Sequence, residues 1–187
     1  MSRRLTCAAI ALVLFLAPSA SQAGYRWDLN KMTKTGRIYH TSAWDAELIW
    51  HATFFDDAFR EVFKKQHRKI KHLDPIDAER FEMEQGQRHG EGWDFFVSMY
   101  TKDEYKDFST YEDSFWRIEL KTGDGEVVKP MLVEKLQITP YERKMFPYLD
   151  RWSRGYRVTF PKVPLGNEIE LTIMSVVGAS TVKWNIR

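Results

Sequence analysis

Five histidines, His40, His51, His67, His72 and His89, are the first residues of this chain whose side chains could do chemistry. A zinc site on a helix needs two of them on one face, usually at i and i+4, and no pair has that spacing; His67 and His72 stand five apart. Met83, Met99, Met131, Met145 and Met174 could join histidine in a copper site, but they are scattered singly, as methionines that fill a core are. No metal and no other cofactor is expected. The motifs of nucleophilic catalysis are also missing: there is no G-x-S-x-G elbow, no S-x-x-K with a matching downstream motif, and the single cysteine, Cys7, lies in the N-terminal apolar segment. A Ser-His-Asp triad could still assemble from distant positions, since triads are recognised by geometry. Carboxylates such as Asp56, Asp57 or Glu61 could serve a hydrolase of envelope polymers as acid and base, although Asp56 and Asp57 would point about 100° apart on a helix. No catalytic residue is assigned, and binding is a stronger expectation than catalysis.

Binding surfaces are easier to name. Trp50, Phe54 and Ala58 follow one another at spacings of four and would form a second apolar stripe on a helix that already has one. Either that stripe is covered within the domain, by a second helix or by an arm carrying Tyr25 and Trp27, or it meets a partner. In the segment KDEYKDFSTYED, Tyr105, Phe108 and Tyr111 recur every three residues and would give rigid apolar contact area if exposed. That segment lacks the D-x-D-x-D-G order and the terminal glutamate of a calcium loop. Lys64, Lys65, Arg68, Lys69 and Lys71 make the densest charge run. They could form a basic patch for anionic lipid or polysaccharide, or simply complement the dipole at a helix C-terminus.

The elements that must position these residues change character near residue 92. Residues 24–40 carry aromatics without clear periodicity and read as an extended arm with a short strand at 36–40. Ser42 and Asp45 fit a capping box. A helix from there to about residue 72 would put Trp44, Leu48, Ala52, Phe55, Phe59, Val62 and Phe63 on one face. Asp74-Pro75 stops that helix and caps a second, which runs to Gly86; the glycine-rich residues 86–92 read as a flexible join. Beyond it, strands are expected at 93–101, 114–121, 126–137, 155–161, 168–176 and 181–186. Gly123-Asp124-Gly125 and residues 177–180 serve as hairpin turns, and Pro130 confines its strand to an edge or a bulge. The expected fold is α+β: an N-terminal helical segment packed on a C-terminal antiparallel β-sandwich, immunoglobulin-like in general architecture. The expected division is a signal at 1–23, an arm at 24–40 and one domain at 41–187, helical to 92 and β-sandwich from 93.

The first 23 residues carry the address. Arg3 and Arg4 precede an apolar run from Cys7 to Leu16, and Ser21-Gln22-Ala23 offers a small-x-small cleavage site before Gly24. The run is too short to span a bilayer, so a cleaved secretory signal is expected, with no transmembrane segment. The pair Arg3-Arg4 resembles the start of a twin-arginine signal, but the residues after it do not fit, and the ordinary secretory route is expected. The net charge of +2 is carried by Arg3 and Arg4, so the chain after the signal is neutral and poorly suited to nucleic acid. Without a disulfide, stability must come from a core, for which an aromatic content of 14% is ample. These features together predict an exported, non-enzymatic binding or assembly protein of the bacterial envelope, periplasmic or secreted. Its expected counterpart is an envelope protein met through exposed aromatic surfaces; a carbohydrate-binding module and an envelope hydrolase are the rivals.

Overall fold

The computed structural model describes residues 20–39, 46–102, 108 and 114–186, with side chains from Gly24 onward. Two antiparallel sheets face each other, and helices cover the outer side of one of them. In chain order the elements are α1 (Ala20–Met32), β1 (Thr33–Tyr39), β2 (Ala46–Phe54), α2 (Asp57–Lys71), α3 (Pro75–Glu91), β3 (Gly92–Thr101), β4 (Arg117–Lys121), β5 (Val127–Val128), β6 (Leu132–Leu136), α4 (Pro140–Met145), β7 (Arg154–Pro161), β8 (Glu168–Ser175) and β9 (Gly178–Asn185). The larger sheet runs β1-β2-β3-β7-β6 and the smaller β5-β4-β8-β9. An α+β fold with antiparallel sheets is therefore borne out.

The expected helix over residues 42–72 is corrected. Its first part is strand β2, and its second part is α2, capped by Asp56, whose carboxylate accepts a hydrogen bond from the Phe59 amide at 2.7 Å. Residues 40–45, with the expected capping box, lie outside the described residues. The misreading has a simple origin, because positions four apart share a face on a strand as well as on a helix. Leu48, Trp50, Ala52 and Phe54 are all even-numbered and all buried, which is the period of two of a strand. Tertiary pairing selects between the two readings: Trp50 lies opposite Met99 of β3 on one side and opposite Gly36 of β1 on the other. Glycine is required at position 36, since a Cβ there would lie 2.1 Å from the indole Nε1 of Trp50.

Three further expectations change. The N-terminal arm is a helix followed by a seven-residue strand, and β1 and β2 complete the sheet begun by β3, so the stretch before residue 92 is not purely helical. Residues 86–91 continue α3, whose N-cap Asp74 and first-position Pro75 are as expected. The single strand expected at 126–137 is two, and they belong to different sheets, β5 pairing with β4 and β6 with β7. Pro130 stands between them; lacking an amide hydrogen, it cannot continue a ladder, and the chain crosses from one sheet to the other there. The turn at Gly123-Asp124-Gly125 is as expected, with Gly125 at φ 86°, whereas β8 and β9 are joined by the two residues Val176-Val177.

Between the sheets lies an aromatic core. Phe54 stacks on Phe95 at 4.9 Å, both contact Trp184 of β9, and the Trp50 indole donates to Ser180 Oγ at 3.1 Å. Burying each such side chain contributes roughly 1.5–3 kcal/mol. Chain entry is pinned to the same body: the Tyr25 hydroxyl donates to the Met145 carbonyl, and the Trp184 indole donates to the Met32 carbonyl.

Candidate functional site

Strand β3 alternates. Phe95, Val97 and Met99 point into the space between the sheets, so Asp94, Phe96, Ser98 and Tyr100 point the other way, and two clefts open above them. Asp94 and Phe96 floor the first cleft, and Ser98 and Tyr100 the second.

The first cleft, about 390 Å³, lies between that face, α2, α3 and α4. Phe96 stacks on Phe146 at 4.0 Å with the rings 3° from parallel, and Phe55, Phe63 and Phe81 complete an aromatic wall. A buried ion pair sits at its base. Arg60 and Asp94 are 4% and 6% exposed; Arg60 Nη2 donates to Asp94 Oδ2 at 3.1 Å and its Nη1 to Gln85 Oε1 at 3.2 Å, while the Thr159 hydroxyl donates to Asp94 Oδ1 at 2.8 Å. The Nε of Arg60 has no hydrogen-bond acceptor among the described residues. On the helical side, the His67 ring stacks on Phe81 at 3.8 Å, and its Nδ1 shares a short hydrogen bond with the Tyr141 hydroxyl. Burial, helped by the charge of Lys71, lowers the pKa of His67, and burial, helped by Glu142, raises that of Tyr141. Burial thus disfavours the charged form of both groups. Of the remaining charges, Arg88 pairs with Glu84 and Arg157 with Glu134 at 2.9 Å, while the Glu142 carboxylate accepts from the Thr139 amide and hydroxyl. An aromatic, charge-balanced cavity with one unanswered donor at its base suits an uncharged ring-bearing molecule with an acceptor oxygen.

The second cleft is wider, about 750 Å³, and more polar. His51 lies opposite Ser98 in the β2–β3 register, with its Nδ1 2.9 Å from Thr35 Oγ1 and its ring 4.9 Å from that of Tyr148. Burial, with Arg37 behind it, lowers the pKa of His51. The Tyr148, Thr53 and Thr33 hydroxyls form a chain of 2.7 Å hydrogen bonds, and burial raises the Tyr148 pKa against the effect of those bonds. Asp150 Oδ1 accepts from the Trp152 amide, the Ser153 amide and the Ser153 hydroxyl, each at 2.8 Å. Burial would raise the pKa of Asp150, but those bonds outweigh it and leave it below the ordinary value. Ser98, His51 and Asp150 supply the residue types of a triad without its geometry: the Ser98 hydroxyl has no hydrogen-bond partner, and the His51 Nδ1 is engaged by a threonine.

Compared with protein-family models, curated proteins and solved structures, the chain matches none. The site therefore stands on its own geometry, to which the residues singled out in the sequence contribute unevenly.

Trp50 and Phe54 are corrected: both are buried between the sheets, at 0% and 1% exposure, and offer no partner-facing stripe. Phe108 is buried as well, edge-on to Tyr156 at 5.4 Å, so it is not part of an exposed ring surface; Tyr105 and Tyr111 lie outside the described residues. The basic run occupies the last turns of α2, where Lys64 pairs with Glu61 at 2.5 Å, Arg68 with Glu82 at 2.8 Å, and Lys71 lies over the Tyr141 ring at 4.5 Å. Lys65 and Lys69 are exposed. Asp56 is spent as a cap, Asp57 bonds His89 at 3.0 Å, and neither they nor Glu61 line either cleft. Among the described residues, no three His, Cys, Asp or Glu side chains are grouped to hold a metal, and no helix is long and apolar enough to cross a membrane.

Sequence reasoning missed Arg60, Gln85, Asp94 and Tyr141. The signal for Asp94 was present: a lone carboxylate in the run Trp93-Asp94-Phe95-Phe96-Val97 must be buried, and so must have a cationic partner. Arg60, beside Phe59 on an apolar helix face, was the matching cue. Tyr141 follows Thr139-Pro140 and precedes Glu142, a capping box that announces α4.

Proposed function

We propose that this chain is an exported, non-enzymatic binding protein of the bacterial envelope, which holds an uncharged, ring-bearing small molecule in the first cleft. The observation that carries the reading is the Arg60 Nε, buried at the base of an aromatic-walled cavity without an acceptor. A buried donor left unanswered costs about 1–3 kcal/mol, and a ligand oxygen placed there would recover it. The paired charges around it favour a neutral molecule over an ion, because an ion would have to be desolvated without a surplus of opposite charge. Ring contact with the half-buried Phe81 would supply the rest.

Export rests on residues 1–23 of the sequence. A periplasmic or secreted location, an envelope protein as partner, and likeness of the two sheets to an immunoglobulin-like sandwich belong to the same proposal. With charges balanced beyond the signal, nucleic acid is not proposed as a partner.

The test is titration with N-phenyl-1-naphthylamine, a neutral fluorescent ring compound, followed by Phe81→Ala. Saturable binding that weakens at least tenfold in the variant, with a cooperative melt retained, supports the reading. Absence of saturable binding, or binding indifferent to Phe81, overturns it. Intact-mass measurement of the envelope fraction tests export, and a retained Met1 would refute it.

A further inference from the structure

The second cleft is chemically unlike the first and is independent of the function proposed for it. Its floor carries directional polar groups: Ser98 Oγ, in a residue 1% exposed, has no hydrogen-bond partner, and the His51 Nε2 has none among the described residues. At its rim, Trp152 is 61% exposed, an unusual position for the largest apolar side chain, and the Arg151 guanidinium lies over that ring at 4.8 Å. Arg151 has no carboxylate partner among the described residues. The one carboxylate lining the cleft, Asp150, is held by its own turn through the Trp152 and Ser153 amides and the Ser153 hydroxyl. A largely exposed apolar ring, a guanidinium fork laid over one of its faces and a floor of hydroxyl and imidazole groups are three features that one class of ligand meets together.

We propose that the second cleft binds a saccharide bearing a carboxylate. The apolar face of the sugar ring packs on Trp152, the carboxylate takes the Arg151 fork, and ring hydroxyls reach Ser98 and His51. The guanidinium suits a planar carboxylate because its donors match two oxygens at once. The unanswered Ser98 hydroxyl at the floor calls for a polyhydroxylated partner, since a plain anion bound at the rim would leave it unpaired. Trp152 and Arg151 are consecutive and exposed, so the ligand's end groups can be read at the surface while its ring enters the cleft. This is a different surface and a different ligand chemistry from the aromatic cleft.

Calorimetric titration of the purified protein with glucuronate, a galacturonate trimer, glucose and acetate tests the proposal. Glucuronate or the trimer should bind saturably and at least tenfold more tightly than glucose or acetate, with the affinity falling as salt is raised. Preference for the trimer would identify a polymer as the source, and equal affinity a free sugar acid. Arg151→Ala and Trp152→Ala, both at exposed positions, should each weaken binding at least tenfold without changing the melt, and Ser98→Ala should weaken it about threefold to tenfold. Phe81→Ala in the first cleft should leave it unchanged, which separates this site from the other. Failure of both acidic saccharides to bind at millimolar concentration, equal binding of acetate or glucose, or binding indifferent to Arg151 and Trp152 would each overturn the proposal.

Discussion

The two clefts stand on successive outward residues of one strand, yet Asp94 is locked into an ion pair with Arg60 while the hydroxyl of Ser98, four residues on, has no hydrogen-bond partner among the described residues. The difference is what lies above. Over Asp94 the helices α2 and α3 bring Arg60 and Gln85 down onto the sheet, so a charge is desolvated and answered in the same step. Over Ser98 the described residues place no helix but the turn around Asp150 to Ser153, and the Asp150 carboxylate is satisfied within that turn. A strand face therefore has no chemical character of its own. Its neighbours decide whether a polar residue becomes part of the structural framework or remains available to a ligand.

That contrast can be broken from either side. The largest effects belong to the roofed cleft: Asp94→Ala leaves Arg60 charged, buried and unpaired, and should destabilise by about 3–5 kcal/mol. Phe96→Ala removes the ring stacked on Phe146 and should cost a similar amount, about 3–5 kcal/mol. Urea unfolding curves measure both, and a loss below about 1 kcal/mol for Asp94→Ala would show that the pair is solvated and the two clefts alike in this respect.

A smaller effect concerns pH. The pKa values of His51, in the second cleft, and His67, in the first, are both lowered from 6.5, in each case chiefly by burial. The unfolded chain then binds more protons than the folded one below pH 6.5, so their contribution is complete above that value and is lost as the pH falls. The His51→Gln/His67→Gln double variant should accordingly lose less stability than the parent between about pH 7 and about pH 5. His89, also shifted down, would retain part of the slope. Equal slopes in parent and variant would mean that neither ring is desolvated.

The smallest change is expected at Ser98. Ser98→Ala removes a hydroxyl that has no partner and should leave stability unaltered or raise it by up to about 1 kcal/mol. A clear loss would show that the hydroxyl is bonded after all and would erase the distinction from Asp94. Set beside a loss of saccharide affinity in the same variant, a stability gain would mark Ser98 as a residue retained for binding.

Local signals were legible wherever they needed no partner to be read. The alternation in Tyr156-Arg157-Val158-Thr159-Phe160, the turn at Gly123-Asp124-Gly125 and the Asp74-Pro75 helix start are properties of a few adjacent residues, and the structure carries each of them. The apolar residues from Leu48 to Phe54 were also recognisable as core, whichever element held them. Their conformation was not, because a spacing of four satisfies both the helical and the extended period, and only the pairing with Gly36 and Met99 makes one of them lower in free energy.

The sequence by itself determined composition, charge balance, the apolar N-terminal segment, most strand positions and the caps of two helices, Asp74 and, unread, Thr139. Tertiary structure alone decided that β5 and β6 part into different sheets, that Arg60 meets Asp94 across 34 positions, and that the Ser98 hydroxyl finds no hydrogen-bond partner among the described residues. The physical reason is range. Capping, turn and alternation energies act between residues a few positions apart, whereas burial, ion pairing and the formation of a cleft depend on which distant segments are packed together, and those contacts exist only once the chain has folded.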